Sequence, residues 1–312
     1  MKKAVNEQYG GVEQIKIIET ELPKISNGEV LVKVEAAGLN PKDILVRKGK
    51  FKRFTGNKFP QGVGYDFSGT IEDPKNSTFQ KGEKVFGMVN GWRGRCCAEY
   101  VDVKAKELYQ MPENISFEAA AGVPLAGQTA LQAIRDQGKI TKGSQILING
   151  ASGGVGTLAI QIAKELGGEV TTVSSSKNLE LCSSFGADHT ISYETTQLLE
   201  LGQSYDIFFD VFGNYSFRKM EGLLKNKGIY ITTVPKADII KEQFSNLFRS
   251  KKARLVVVRS NERDLRWFSQ KIAEGKIKPV VDQVFDFGEI QAAQTYIESK
   301  RAKGKVIVKM NT

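Results

Sequence analysis

The feature that most constrains this chain is a strand, a glycine-rich turn and a helix run together between Ile146 and Gly167. Four residues suited to a buried strand, Ile146, Leu147, Ile148 and Asn149, lead into Gly153, Gly154 and Gly156. Apolar residues then recur at Val155, Leu158, Ala159, Ile162, Ala163 and Leu166, the spacing of one helix face. Read as Ala151-x-Gly153-x-x-Gly156, the turn is a variant of the dinucleotide fingerprint, in which the middle glycine admits a pyrophosphate and the last lets helix and strand pack closely. Free N–H groups at the helix start, and its macrodipole, favour an anion there. A plain packing turn is the alternative, and the strand and helix on either side argue for a nucleotide.

Around this motif the chain divides. Up to about residue 120, short β-type runs at 14–18, 29–34, 84–87 and 98–101 are punctuated by glycine, proline and asparagine, the pattern of a compact, barrel-like antiparallel domain. Residues 49–62 carry Phe51, Phe54 and Phe59 among glycines and lysines, and are expected to form a loop, either over a site or simply on the surface. From Phe117 an alanine-rich helical stretch interrupted at Pro124 is followed by strand candidates at 146–148, 170–173, 190–192, 207–209, 229–232 and 255–258. Six strands with intervening helices predict a doubly wound parallel sheet. The remainder, with helices near 262–275 and 289–297 and strands at 280–285 and 306–308, is too small for its own core and is expected to return to the first domain. The expected division is 1–121 completed by 263–312, with 122–262 as the nucleotide domain and the active site in the cleft between them.

Composition narrows the chemistry. With three cysteines and one histidine in 312 residues, a zinc site would lack ligands. Cys96, Cys97 and Cys182 read as buried thiols of a reducing compartment, with no disulfide framework. The N-terminus has no apolar run of a signal peptide and no segment is long enough to span a bilayer, so a cytoplasmic location is expected. The net charge of +10 is spread among interleaved acids, unlike the patch of a nucleic-acid binder, and suits attraction of an anionic cofactor.

The second strand of the sheet ends in Ser174-Ser175-Ser176-Lys177, where an NAD-binding sheet would carry a carboxylate for the ribose 2′-hydroxyl. Hydroxyls and an ammonium suit a 2′-phosphate, so NADPH is expected; a serine-rich helix cap is the other reading.

Several stretches together carry a family resemblance: Ala36 to Asp43, Pro60 to Gly69, Leu125 to Ala130, the glycine motif, Phe185 to Asp188, Phe209 to Gly213 and Gly304 to Val306. On these the chain resembles the medium-chain dehydrogenase/reductase superfamily, and within it the zinc-free quinone oxidoreductases, including the plastid-envelope quinone and enone reductase type. The resemblance implies a GroES-like β-barrel catalytic domain plus a Rossmann domain. Asn40, Tyr65 and Leu125 stand where zinc-dependent relatives place metal ligands, so no metal is expected. It further implies cofactor contacts from Asn40, from Thr129 at the nicotinamide ribose, from Ser152, Gly153, Gly154 and Val155 at the pyrophosphate, and from Ser175, Ser176 and Lys177 at the 2′-phosphate with Tyr193 beside it. Phe212, Gly213, Asn214, Thr233, Val234, Val257 and Val258 are implied along the nicotinamide, with Lys305 as a further contact. A homodimer pairing through the strand at 255–258 is also implied.

A missing metal favours acceptors whose reduced anion is already delocalised. A quinone gives a phenolate-like anion, with a pKa near the value of about 10 for tyrosine, and an enone reduced at its β-carbon gives an enolate; hydrogen-bond donors can hold either. Asn40 and Tyr65 are expected to orient the carbonyl oxygen and Lys42 to supply the proton; the alternatives are that Asn40 only binds the cofactor amide or ribose, that Tyr65 is a hydrogen-bonded core aromatic, and that Lys42 pairs with Asp43 or a neighbouring acid. The rival from another class is an NADPH-loaded RNA-binding or structural protein, like relatives of the lens-crystallin type, with negligible turnover.

Overall fold

The computed structural model describes residues 1–310 and forms two compact units. One comprises Met1–Leu125, Arg259–Gly275 and the chain from Pro279 on; the other is Ala126–Val258 with Lys276–Lys278.

The first unit is built on strands β1 (Lys2–Asn6), β2 (Ile15–Glu19) and the long β3 (Glu29–Leu39), helices α1 (Pro41–Arg47) and α2 (Lys52–Thr55), strands β4 (Gln61–Gly62), β5 (Asp66–Asp73), β6 (Lys84–Met88), β7 (Tyr100–Lys104) and β8 (Leu108–Gln110), and helix α3 (Phe117–Ala121). β3 is central: Val30, Val32, Val34, Ala36, Ala37 and Leu39 are all buried, and it pairs antiparallel with β5 and β7. A side chain at Gly38 would sit 2.3 Å from the Ala121 carbonyl, so α3 packs directly on this strand. Local signals set the helix starts. Ser116 Oγ accepts from Ala119 N–H to cap α3, and Pro41 occupies the first position of α1. Within 49–62, expected as a loop, 52–55 winds into the helical turn α2.

The second unit opens with α4 (Pro124–Leu131), which begins in the first unit and continues as a π-helical turn over Gln132–Gln137. Strands β9 (Gln145–Asn149), β10 (Glu169–Ser174), β11 (His189–Ser192), β12 (Tyr205–Asp210), β13 (Leu224–Thr232) and β14 (Lys252–Leu255) alternate with α5 (Gly154–Glu165), α6 (Leu179–Ser184), α7 (Phe217–Met220) and α8 (Ala237–Ser245). All pairings are parallel, in the order β11-β10-β9-β12-β13-β14. The chain moves from β9 outward to β10 and β11, then returns to the other side at β12. The turn after β9 therefore lies at the reversal point where such sheets bind ligands. One strand needs correction: the edge strand lies at 252–255, not 255–258. Its register with β13 ends at Thr232 opposite Leu255, and after Val256 N–H reaches the Thr232 carbonyl the chain leaves the sheet.

The tail, α9 (Glu262–Ala273), β15 (Val281–Asp286), α10 (Ile290–Glu298) and β16 (Lys305–Lys309), rejoins the first unit. β16 pairs antiparallel with β3, completing the β15-β16-β3-β5-β6-β8 sheet. Among the described residues no helix is long and apolar enough to cross a membrane.

Candidate functional site

In the second unit, the loops at the carboxyl ends of the parallel strands come together. Gly156 is sterically required, since a Cβ there would lie 2.3 Å from the Gly150 carbonyl oxygen and 2.5 Å from that of Ala151. At Gly153 a Cβ would meet nothing nearer than 3.6 Å, so open space faces the backbone where the fingerprint admits a phosphate. Ser152, Gly153, Gly154 and Val155 are all partly exposed, around the start of α5.

Asp210, buried at the end of β12, organises the neighbouring turn. Its carboxylate accepts from Asn149 Nδ2 (2.7 Å), Gly213 N (2.8 Å), Tyr215 N (3.1 Å) and the Tyr230 hydroxyl (2.8 Å), while Asn149 also donates to Asn214 Oδ1 (2.8 Å). These bonds hold Phe212, Gly213 and Asn214 over the sheet edge, with Phe212 against Gly150 and Val234 against Gly213. Thr233 Oγ1 donates to the Val211 carbonyl (2.9 Å). Val257 is exposed and Val258 half-buried, just beyond β14. Asp210 entered the sequence reading only as part of a family motif; its role as the anchor needs the neighbouring strands in place.

On the opposite side of β9, Ser175 is buried while Ser176, Lys177 and Tyr193 are exposed. Asn178 links the serine turn to the glycine turn, its Nδ2 donating to Ser152 Oγ (3.0 Å) while its buried Oδ1 has no hydrogen-bond partner. The sequence reading missed this residue, and it missed Glu194, whose Oε2 accepts from Ser176 N (2.9 Å). Thr129, on α4, is only 5% exposed and its Oγ1 is likewise unpartnered. Orphaned buried hydroxyl and amide oxygens are uncommon and suit ligand polar groups. With the open face of Gly153, they are the features of this unit that fit a nucleotide.

In the first unit, Asn40, Lys42, Tyr65 and Lys305 converge on two buried carboxylates. Asp43, in the first turn of α1, accepts from Asn40 N and Gly64 N (both 2.9 Å), and burial pushes its carboxyl up to about 6. Asp66 accepts from Leu125 N (2.8 Å), Asn40 Nδ2 (3.0 Å) and Lys305 Nζ (3.1 Å); burial raises its carboxyl too, against the opposing pull of Lys305. Lys305 also donates to Asn40 Oδ1 (2.6 Å). Lys305, expected at the cofactor, is thus almost fully enclosed as the counter-ion of Asp66. Asn40, expected to orient a carbonyl or touch cofactor, has its amide engaged at both ends inside the protein.

Tyr65 is likewise engaged inside the protein, as a hydrogen-bonded core aromatic. It is buried, its hydroxyl donates to the Trp92 carbonyl (2.7 Å), and burial raises its pKa above the usual tyrosine value. Its ring instead supports Lys42, whose ammonium lies 3.7 Å from the ring centroid and donates to the Gly91 carbonyl (2.8 Å). Burial lowers the Lys42 pKa, with Asp43 and Asp66 opposing. Beside it Phe54 stacks on Trp92 (4.4 Å between centroids) with Phe51 at 5.2 Å; Phe59, the third phenylalanine of the segment, instead meets Tyr9.

Asn40, Tyr65 and Leu125 offer an amide, a phenol and an aliphatic chain, and among the described residues no cluster of three or more His, Cys, Asp or Glu could hold a metal. His189 is exposed at the start of β11 beside Glu169, and all three cysteines are free and buried, burial raising their thiol pKa values.

A six-stranded parallel sheet with a glycine turn at its reversal point, joined in one chain to a β-rich unit completed by the tail, defines a pyridine-nucleotide-dependent dehydrogenase class. The chain belongs to the medium-chain dehydrogenase/reductase superfamily. The alcohol dehydrogenase GroES-like domain family matches residues 26–113, and the zinc-binding dehydrogenase family matches 185–308. The NADPH-dependent alkenal/one oxidoreductase of Arabidopsis thaliana chloroplasts is 34% identical over 99% of this chain and 79% of its own. A chloroplastic quinone oxidoreductase of Triphysaria versicolor is 31% identical over 96% and 95%. The solved structure of the quinone oxidoreductase from Coxiella burnetii superposes over 100% of this chain and 99% of its own, with a TM-score of 0.91 at 30% identity.

Proposed function

We propose that the protein is a zinc-independent, NADPH-dependent oxidoreductase that reduces quinones, or the β-carbon of α,β-unsaturated carbonyl compounds, and that it acts as a homodimer. The names of the similar proteins support the quinone or enone reductase part of this reading. The observation in this chain that carries it is Lys42, a half-buried ammonium on the Tyr65 ring beside the Phe51, Phe54 and Trp92 rings, in a unit where, among the described residues, no cluster of three or more His, Cys, Asp or Glu gathers.

The second unit would hold the nucleotide through Ser152, Gly153, Gly154 and Val155, through Ser175, Ser176 and Lys177, and through Thr129 and the 212–214, 233–234 and 257–258 segments. When bound, the dihydronicotinamide supplies a hydride. The chain's own part is to position the acceptor and hold the resulting charge. The Trp92 and Phe54 rings offer flat apolar surface to a planar conjugated substrate. Lys42 would offer its ammonium to a developing phenolate or enolate, and burial, by lowering its pKa, would ease release of a proton from Nζ to that oxygen or carbon. Tyr65 fixes the ammonium through its ring face, and Asn40, Asp66 and Lys305 keep the floor of the site rigid.

Initial rates of NADPH consumption with quinone and enone panels, with and without a chelator, test the reading. Turnover that survives the chelator, and a fall in kcat of about 10- to 100-fold in Lys42→Met, are expected. No turnover with any acceptor, or stoichiometric zinc in the active protein, overturns it.

A further inference from the structure

The serine turn after β10 was expected to be free of carboxylates, and along its own strand it is. The folded chain supplies one from the next strand: Glu194, two residues past the end of β11. Its Oε2 accepts from the Ser176 N–H (2.9 Å), its own N–H donates to Ser192 Oγ (3.1 Å), and Ser192 Oγ is bonded to Ser176 Oγ (2.7 Å). These three bonds close a ring that ties the turn to the 192–194 segment and keeps the negative charge on the turn. Hydrogen bonds from the Ser176 side chain and N–H, with the nearby charge of Lys177, hold the Glu194 carboxyl below its ordinary value, so it is ionised at neutral pH. Ser176, whose N–H and hydroxyl would be the natural donors to a phosphate, thus has both engaged inside the protein.

Resting on the nucleotide reading above, we propose that Glu194 narrows the choice between coenzymes by standing in for the 2′-phosphate. A phosphomonoester arriving at Ser175, Ser176 and Lys177 must displace this carboxylate from the Ser176 N–H or accept its repulsion, and either cost falls on NADPH alone. NADH brings a 2′-hydroxyl, which a carboxylate accepts as a hydrogen-bond donor, as the acid at the end of the second strand does in NAD-specific sheets. Glu194 therefore narrows the preference for NADPH that the serines and Lys177 create, and leaves the protein able to use both coenzymes. A search along the second strand alone cannot find it, because the acid comes from the third.

The test is Glu194→Gln, which keeps an oxygen for the Ser176 N–H and removes the charge. Dissociation constants for NADPH and NADH are measured by titration calorimetry on the full chain, with thermal melting as a check on folding. Removal of one like charge at this exposed position is expected to tighten NADPH by about five- to tenfold and to leave NADH unchanged or slightly weaker. NADPH binding that is unchanged, or both coenzymes shifting together as a general loosening of the turn would make them, overturns the inference while leaving the nucleotide reading intact. Binding of neither coenzyme by either protein overturns both. Wild-type protein that binds NADPH and gives no detectable NADH binding also overturns the inference.

Discussion

Lys305 and Asp66 form a pair with 5% and 0% of their side chains exposed, joined through Asn40. Burial raises the Asp66 carboxyl and Lys305 opposes that rise. A carboxyl with a folded pKa above its unfolded one contributes most below the unfolded value, and that contribution is lost as pH rises through the folded value. Lys305→Met removes the opposing charge, so the folded value climbs further and the loss at neutral pH grows. Urea unfolding should show the variant weaker by about 3–5 kcal/mol at pH 8, the deficit shrinking as the pH falls and Asp66 takes up a proton. A deficit independent of pH would mean that Lys305 matters for packing rather than charge. The motifs holding Asn40 and Lys305 were legible in the sequence as special, yet their roles were not. Two residues separated by 265 positions bond to each other, and the carboxylate they share was only one letter of a motif.

The strand, glycine turn and helix at 145–165 were readable because each part carries its own local signal: β-type residues, glycines and a helical apolar period. The two glycines that matter most in this element differ in their constraints, and substitution separates them. Gly156→Ala drives a methyl into the Gly150 and Ala151 carbonyl oxygens, so α5 must move away from β9, and the melting temperature should fall by several degrees, as about 1–3 kcal/mol of overpacking would produce. Gly153→Ala has room and an ordinary extended backbone (φ −83°, ψ 176°), so stability should stay near wild type while the coenzyme dissociation constant rises about tenfold or more as the methyl meets phosphate. Calorimetry and melting curves on the pair check both halves; if Gly153→Ala binds coenzyme normally, the phosphate does not approach that backbone. The other elements were less legible where tertiary pairing decided them. β14 was displaced by three residues because Val256, Val257 and Val258 have strand-like side chains, while its bounds follow from where β13 ends.

At the scale of the whole molecule, the proposed dimer changes its surface once the edge of the sheet is seen. Pairing through an open edge strand requires outward-facing N–H and C=O groups. On β14 these are already satisfied at Ala253, whose N–H donates to Asn246 Oδ1 (2.8 Å) and whose carbonyl accepts from Asn246 Nδ2 (2.7 Å). Strand addition is blocked there, much as natural sheets protect their edges. The same segment, however, leaves Phe244, Leu247 and Phe248 exposed by 77%, 85% and 90%, together with Ile240 on α8. Large apolar side chains grouped on a surface mark an association face, so the self-contact should run through α8 and the turn after it rather than through the sheet edge. Light scattering at micromolar concentration should then give a dimer for the wild type and a monomer for a Leu247→Asp, Phe248→Asp double variant. Asn246→Ala uncovers the edge without touching the apolar group, and should leave the dimer intact while promoting larger species. A monomeric wild type removes the dimer altogether; a double variant that remains dimeric returns the contact to some other face.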